Sequence, residues 1–313
     1  MRRLRTPALF AAVLGLVLFA FAATSGRPAL AVGSQIRTFV ASTGSDANPC
    51  SRVAPCRTFG AALAQTAGGG EIVALDSGGY GAVTISQAVT IVAAPGIQAS
   101  ISPSSGTAIT VNAGPSDVVV LRNLYLNAQG GEIGIAYYAA RALQVENLVI
   151  NGFTNEGILM SLTNPADLYV ADTIIRNTGN TGIYLSSASG IANVSIVRVR
   201  LDNNDSGVVA IANVHASVKD TIASGGAGTA FAAGFGSASA QLNLEGCVAS
   251  GNAYGITAYS ASSTATVRVS NCSLTGNGTG VLAGINGLIL SRGNNTLEGN
   301  ISDGTFTGSY AAK

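Results

Sequence analysis

The chain repeats a pattern in which two short apolar segments flank a polar corner. In residues 172–190, DTIIRNTGNTGIYLSSASG, the segments TIIR and GIYL enclose the corner NTGN. A glycine, or once an alanine, followed by an apolar residue opens the second segment and recurs at positions 134, 157, 182, 207, 230, 255 and 280. Neighbouring units are therefore 23 or 25 residues apart, and such a period indicates a solenoid with one coil per unit.

The composition of the units favours strands over helices. Their corners are rich in Asn, Asp and Gly, which tolerate the positive φ of a sharp turn, and their apolar segments use Val, Ile, Thr and Tyr. A solenoid of paired helices would need runs of Leu, Glu, Lys and Ala without Gly, whereas 40 of the 313 residues are Gly. We therefore predict an all-β fold, a single-stranded parallel β-helix with coils of about 23–25 residues.

One position of the repeat predicts a column of stacked core residues. Eight residues before the Gly–apolar pair lie residues that are readily buried: Val149, Ile174, Val199, Ile222, Cys247 and Cys272. Stacked coils lie about 4.8 Å apart, which is within the Cα separation that a disulfide allows. Cys247 and Cys272 are therefore expected either as a buried pair of free thiols or as a disulfide.

The two ends of the repeat region differ from its middle, as the open ends of a solenoid require. Residues 58–67, TFGAALAQTA, place apolar residues at helical spacing and precede the run Gly68–Gly70, so they predict a short capping helix that ends at the glycines. Residues 288–308 indicate one last imperfect coil.

The first residues indicate a targeting segment. Arg2, Arg3 and Arg5 precede the apolar run of residues 7–23, and the sequence ALA at 29–31 suits a cleavage site. We predict a signal peptide at 1–31, an N-terminal cap at 32–75, the β-helix at 76–308 and a tail at 309–313. An uncleaved membrane anchor is the alternative for the leader. The protein is expected to be exported to the periplasm, the cell surface or the medium.

Cysteine usage agrees with export. Cys50 and Cys56 are close together in NPCSRVAPC, and each follows a proline. This spacing predicts a local disulfide, while metal binding is disfavoured because no second Cys/His pair lies nearby.

Charge excludes one class of partner. Without Arg2, Arg3, Arg5 and Arg27 of the leader, 12 basic and 15 acidic residues remain, a net charge of −3. Nucleic-acid binding would need a basic stripe, and the sequence has none. Charged residues make up only 10% of the chain, which suits a rigid, weakly charged extracellular rod.

Residues 37–86 resemble the opening of many exported bacterial right-handed β-helix proteins of the pectin-lyase-like superfamily. The resemblance lies in GSDANPC, PCRTF, the capping helix, GGEI and GGY, and the closing GNNTLEGNISDGTFTG (293–308) is similar to the end of such chains. It implies a right-handed coil over nearly the whole mature chain. It does not carry a reaction, because proteins of one fold differ in chemistry.

The catalytic motifs of that superfamily are missing from the sequence. Polygalacturonase-like enzymes carry NTD, DD, GHG and RIK motifs, mannuronan epimerases carry DPH, and pectate lyases use Trp and His in a WxDH-like segment. Here none of these motifs occurs, Trp is absent and the single histidine is His215, which is expected in a partly exposed turn.

An acidic column is the remaining candidate for catalysis. Asp172, Asp220 and Glu245 lie ten residues before the Gly–apolar pair, and Arg198 and Arg200 fall between them in sequence. Such a column could bind Ca²⁺ or supply the acid and base of an elimination. It could equally be a salt-bridge ladder that separates like charges. The corner at 202–205, DNND, is a further place for a cation.

Tyrosines on the repeat are the candidates for binding. Tyr184, Tyr254 and Tyr259 lie on or near the Gly–apolar strands and could stack on sugar rings. We therefore expect an exported, non-catalytic β-helix protein, envelope-associated or secreted, with an extracellular or cell-surface polysaccharide as its partner along one face. The alternative is a polysaccharide lyase or epimerase acting on an acidic glycan. No cofactor is expected, with Ca²⁺ at the acidic column as the one exception.

Overall fold

The computed structural model of the protein describes residues 33–311. The predicted signal peptide and its cleavage site lie outside these residues. Within them, no helix is both long enough and apolar enough to cross a membrane.

The chain winds through three parallel sheets, A, B and C, and each coil adds one strand to each sheet in that order. Sheet A has twelve strands: Gln35–Val40, Thr66–Ala74, Val89–Ala93, Val118–Arg122, Ala142–Glu146, Asp167–Ala171, Ala192–Val197, Val214–Lys219, Ala240–Glu245, Ala265–Ser270, Gly287–Ser291 and Gly308–Ser309. Sheet B has ten: Gly78–Gly79, Ala99–Ile101, Leu124–Asn127, Val149–Asn151, Ile174–Arg176, Arg200–Asp202, Ile222–Ser224, Val248–Ser250, Ser273–Thr275 and Thr296–Leu297. Sheet C has nine: Val83–Ile85, Thr107–Asn112, Ile133–Ala139, Ile158–Leu162, Thr181–Ser187, Ser206–Ala212, Thr229–Gly234, Tyr254–Tyr259 and Thr279–Ala283.

Stacked equivalent residues build the core. In sheet C, the residue after each Gly–apolar glycine or alanine points inward and pairs with its equivalent on the next coil. These residues are at most 2% exposed: Ile135, Ile158, Ile183, Val208, Phe231, Ile256 and Val281. A continuous aliphatic column of this kind removes apolar surface from water on every coil, which is the main stabilising term for the rod. The predicted parallel β-helix is confirmed.

The core column predicted eight residues before the pair is wrong in part. Val149 stacks on Ile174, and the next coil places Arg200 there, followed by Ile222. These residues lie on the outer face of sheet B, and Ile222 is 37% exposed. Val199 lies one residue before Arg200 and is buried. Its coil is one residue longer before that point, and one inserted residue moves the following side chain to the other face of the strand. Cys247 and Cys272 share this inner position.

From the strand Val118–Arg122 to the strand Ala265–Ser270, a single residue in the left-handed conformation makes each corner between sheets A and B. The residues at this position follow one another on successive coils with φ between 50° and 64°: Asn123, Asn147, Asp172, Arg198, Asp220, Gly246 and Asn271. Asn and Asp tolerate this conformation better than other non-glycine residues. This conformation therefore explains why Asn and Asp recur at the corner between sheets A and B.

Buried asparagines hold the corners between sheets B and C. The side chain of Asn277 donates to the backbone oxygen of Ala249 at 2.9 Å and accepts from the backbone N–H of Asn252 at 3.1 Å. Asn204 makes equivalent bonds with Ile175 and Thr178. These amides satisfy backbone groups of the preceding coil that would otherwise be buried without partners.

A short helix, Phe59–Gln65, covers the N-terminal end of the core with Phe59, Ala62 and Leu63 buried. Thr58 caps it by accepting a hydrogen bond from Ala61 N–H at 3.2 Å. The helix ends at Gln65 rather than at the glycine run, which lies in the strand Thr66–Ala74.

The cysteines separate into one disulfide and one thiol pair. Cys50 and Cys56 form the predicted disulfide. Cys247 and Cys272 are free and buried, and the backbone N–H of Cys247 donates to the sulfur of Cys272 at 3.3 Å. Of the two alternatives left by the sequence, the structure therefore shows the free pair.

Candidate functional site

The outer face of sheet C differs from that of sheet A because none of its nine strands contains Asp, Glu, Lys, Arg or His. The position after the inward one forms a row along the solenoid axis: Ala136, Leu159, Tyr184, Val209, Ala232, Thr257 and Leu282. Leu159, Tyr184 and Leu282 reach the surface, whereas the other four are buried. This row is a strip of apolar and hydroxyl-bearing side chains.

A groove crosses the last four strands of sheet C, from Ser206–Ala212 to Thr279–Ala283. It has a volume of about 460 Å³ and is lined by small, hydroxyl-bearing and aromatic residues: Ser206, Gly228, Thr229, Phe235, Tyr254, Thr257, Ala258, Tyr259, Leu282 and Gly284. We call it the sheet C groove. Strands of one sheet are about 4.8 Å apart, so the floor extends roughly 14 Å along the axis.

Aromatic side chains stand at both borders of the sheet C groove. Tyr254 opens its strand and Tyr259 ends it, which separates their Cα atoms by roughly 16 Å at the usual rise of a strand. Phe235 packs beside Tyr259 with ring centroids 6.1 Å apart and planes inclined by 44°. Phe235 and Tyr254 are 53% and 39% exposed, so both rings present a face to solvent.

The backbone at Phe235 is in an uncommon conformation. Its φ is 68°, a region that costs a bulky residue of order 1–3 kcal/mol. The neighbouring coil holds it there, because Phe235 N–H donates to the backbone oxygen of Tyr259 at 2.7 Å. On the other side of Tyr259, a Cβ at Gly284 would lie 2.7 Å from the ring carbon Cδ2. Glycine at 284 therefore leaves room for the Tyr259 ring.

Acidic residues border the strands of sheet C where the chain enters from sheet B. Of the two residues directly before each strand, those that carry a charge are Glu132, Glu156 and Asp205. Asp205 borders the groove directly, since a Cβ at the lining residue Gly228 would lie 2.9 Å from its Oδ2 atom. The entry edge of this sheet is therefore negative.

Glu156 is the least exposed of these acids. Burial raises the pKa of its carboxyl, although Asn180 donates a hydrogen bond of 3.1 Å to it. Burial, and then the charge on Glu156, raises the pKa of the Tyr184 hydroxyl. A half-buried carboxyl and a tyrosine thus lie close together: Glu156 is at the entry edge two coils before the groove, and Tyr184 is on the strip one coil before it.

Comparison with known proteins agrees with this architecture. A family model described as a right-handed β-helix region matches residues 70–223. The solved structure of pectate lyase Pel9A superposes with a TM-score of 0.60 at 17% identity, over 90% of this chain and 80% of the lyase. The chain therefore has the right-handed β-helix fold. The right-handed coil that the pectin-lyase-like resemblance implied is confirmed, and at this identity the likeness establishes the fold alone.

Two further structures are similar to this β-helix protein to a lesser degree. A lacto-N-biosidase from Eubacterium ramulus has a TM-score of 0.46 at 10% identity, over 88% of this chain and 67% of its own. A rhamnogalacturonan lyase has a TM-score of 0.33 at 13% identity, over 82% of this chain and 67% of its own. Neither score is high enough to support an argument about function. No curated protein matches the sequence.

The predicted catalytic candidates of the β-helix protein lie away from the sheet C groove. Arg198 and Asp172 stack on the corner between sheets A and B and form a two-pronged ion pair, with Nε–Oδ1 at 2.6 Å and a second bond of 2.7 Å to Oδ2. The hydrogen bond from Arg198 lowers the pKa of Asp172. Arg200 lies on sheet B and pairs with Asp202 at 2.9 Å.

The predicted stacking of Asp220 on Glu245 is wrong. Asp220 is a corner residue, and the next coil places Gly246 at that position. Glu245 lies one residue earlier, on sheet A opposite Lys219. The fixed offset from the Gly–apolar pair failed because these two coils differ by one residue before the corner. Asp172, Arg198 and Asp220 occupy the same corner on three successive coils, so acids and a base alternate there as in a salt-bridge ladder. Arg200 and Glu245 lie on sheets B and A, so the five candidates do not form one acidic column.

The corner at 202–205 is also divided. Asp202 accepts hydrogen bonds from Arg200 and Ser224, Asn204 is buried in the core side of the corner, and Asp205 borders sheet C. Within residues 33–311, no three His, Cys, Asp or Glu side chains lie close enough together to hold a metal ion.

The three predicted tyrosines all lie on sheet C, and two of them line the groove. Tyr184 lies on the strip, while Tyr254 and Tyr259 form the two borders of the sheet C groove. His215 lies on sheet A between Asn193 and Gln241, in a strand rather than a turn. Sequence reasoning missed Phe235 because it lies in a corner. Its flanking glycines in GFG were the available signal, since a bulky apolar residue at a corner has no core position to fill.

Proposed function

We propose that this β-helix protein is an exported carbohydrate-binding protein that holds a glycan in the sheet C groove without cleaving it. The aromatic groove is the single observation that carries the proposal. Tyrosine and phenylalanine offer flat apolar faces to the ring carbons of a sugar, and the hydroxyls of Thr229 and Thr257 offer partners for its hydroxyl groups.

The shape of the site supports a polymer as the ligand. The groove follows the solenoid axis over four strands, and its two aromatic borders are exposed. A long ligand could therefore continue onto the uncharged strip of sheet C, toward Tyr184. The pectate lyase of the same fold is named for action on a polysaccharide, which is an analogy and adds only modest support.

The chemistry of the lining supports binding in preference to turnover. The lining residues contain no carboxylate, imidazole, amine or thiol. Asp205 at the entry border is a single carboxylate, whereas hydrolysis of a glycosidic bond uses a pair. The alternative of a lyase or epimerase would place Arg198 or Arg200 over the substrate. Both guanidinium groups are instead engaged by Asp172 and Asp202.

Export is supported by the Cys50–Cys56 disulfide, since such bonds persist mainly in oxidising compartments. An exported protein would also meet extracellular or cell-surface polysaccharides. Immunodetection of the protein in cell fractions would test this part of the proposal.

The binding site is tested by titrating purified protein calorimetrically with soluble oligosaccharides. Tyr254→Ala should weaken binding about tenfold, which corresponds to about 1.4 kcal/mol, because it removes one aromatic border. Tyr169→Ala is the matched control, since Tyr169 is similarly exposed, at 44%, but lies on sheet A. Equal loss in both variants would contradict the site, and accumulation of cleaved or unsaturated products would contradict the non-catalytic role.

A further inference from the structure

The charges around the sheet C groove define the class of glycan that it accepts, and this inference rests on the proposed function. The lining residues are all uncharged. The corners that leave sheet C at the groove coils, residues 235–239, 260–264 and 284–286, contain no charged residue either. A ligand in the groove would therefore meet neither a cation nor an anion along its floor or on its exit side.

The entry side adds a negative charge. Asp205 stands next to the lining residues Ser206 and Gly228, and its Oδ2 atom accepts a bond of 3.4 Å from the Ser206 hydroxyl. Glu156 and Glu132 continue this edge on the preceding coils. A polyuronate carries one carboxylate on every sugar, so it would be repelled along this edge.

No positive group in the described part of the chain compensates. Lys219 and the arginines lie on sheets A and B, on other corners or in the N-terminal cap, and none is among the residues of the groove. Several are already paired with acids, as Arg37 is with Glu71 and Arg122 with Glu146. A calcium bridge between ligand carboxylates and the protein also lacks a site, because residues 33–311 hold no cluster of three candidate ligands.

We infer that the sheet C groove selects neutral polysaccharides and discriminates against polyuronates. A carboxylate placed against Tyr254 or Leu282 would lose hydration and gain no partner, which is costly. A neutral sugar loses only hydroxyl hydration, and Thr229, Thr257 and Ser206 can replace part of it. This selectivity is opposite to what a pectate-acting protein of the same fold would need.

The test uses pairs of ligands that share a backbone and differ in charge. The pairs are β-1,4-glucan and β-1,4-glucuronan oligomers, β-1,4-mannan and β-1,4-mannuronan oligomers, and methyl-esterified and free α-1,4-galacturonan oligomers. We expect at least one neutral member to bind, with its charged partner at least tenfold weaker. Binding of the neutral member should be unchanged by added salt, since it involves no ion pair.

A substitution at the acidic edge sharpens the test. Asp205→Asn should raise the affinity for the charged partner about threefold relative to that for the neutral member, as removal of one partly screened charge predicts. Asp167→Asn on sheet A is the control and should change neither.

The outcomes separate the two proposals. Tighter binding of a charged member, lost in Tyr254→Ala, would overturn the inference and leave the proposed function standing. Binding to no member of any pair would overturn both. Preference for a neutral member that is unaffected by Tyr254→Ala would show selectivity from another surface and would overturn the inference for this groove.

Discussion

Sheets A and C belong to the same coils and direct aliphatic side chains into one core, yet their outer faces differ. Eight of the twelve strands of sheet A carry a charged residue, and none of the nine strands of sheet C does. Ion pairs such as Arg122–Glu146 link neighbouring coils on sheet A. The inner columns thus fix the fold, and the outer positions are free to differ in chemistry.

The largest effect should come from the shared inner face. Ile183 on sheet C and Ile196 on sheet A are both fully buried. Ile183→Ala and Ile196→Ala should each lower the free energy of unfolding by about 2–5 kcal/mol, since each removes buried methyl groups and leaves a cavity. Chemical denaturation measures this. A small loss in only one variant would show that the two sheets do not share one packed core.

The next effect concerns the outer faces. Leu282→Arg places a cation in the groove, while Leu288→Arg places one on sheet A, and the two leucines are 47% and 41% exposed. We expect the first to weaken neutral-glycan binding about tenfold and to improve polyuronate binding, and the second to change neither. Titration of both variants with the paired oligomers checks this. Similar behaviour of the two would remove the functional distinction between the faces.

A smaller effect concerns the pH dependence of stability, which should differ between Glu156 at the edge of sheet C and Asp172 at the corner between sheets A and B. The folded-state pKa of Glu156 is raised above its ordinary 4.5, so its ionisation lowers stability as the pH rises through that range. Glu156→Gln should therefore raise the melting temperature at neutral pH and have no effect below about pH 4. A lower melting temperature at neutral pH would show that the charged carboxylate is stabilising.

The smallest effect is expected at Asp172, where the pH dependence of stability has the opposite sign to that at Glu156. The folded-state pKa of Asp172 is lowered from 3.8 by its bond to Arg198, so the pair contributes stability above that pH and loses it as the pH falls through the folded-state pKa. Asp172→Asn should slightly lower the melting temperature at neutral pH and converge with the parent protein in strong acid. The shift is small because the pair is exposed and screened. An unchanged difference in strong acid would mean that the loss has another cause.

Much of the fold could be predicted because each coil repeats the same local requirements. Gly before Ile183 or Ile256, and Asn at the corners, reflect backbone and core positions that every unit shares. The constant offset failed at Arg198, where one coil is a residue longer and the alternation of strand faces converts this single residue into an inside–outside exchange. Val149 and Ile222 were misplaced for a different reason, since an aliphatic residue on an outer sheet face looks the same in sequence as a buried one.

The candidate site was only partly predictable. Tyr254 and Tyr259 could be found because they lie on the repeated strand. The position of Phe235 and Asp205 beside the groove could not be found, because it depends on how neighbouring coils align. The lack of charged residues on sheet C can be read from the sequence, but only after the third strand of each coil has been assigned to its own sheet.

In-register stacking has a consequence for how the length of this protein can vary. Ile158 and Ile183 occupy equivalent positions on adjacent coils, so residues 157–181 form an exchangeable module whose removal joins Glu156 to Gly182 without altering the phase of any strand. The groove lies in the last four coils, whereas the helix and disulfide lie at the first. Duplication or loss of internal modules could therefore lengthen or shorten the rod and leave both terminal features intact, a simple route by which such a protein can diversify.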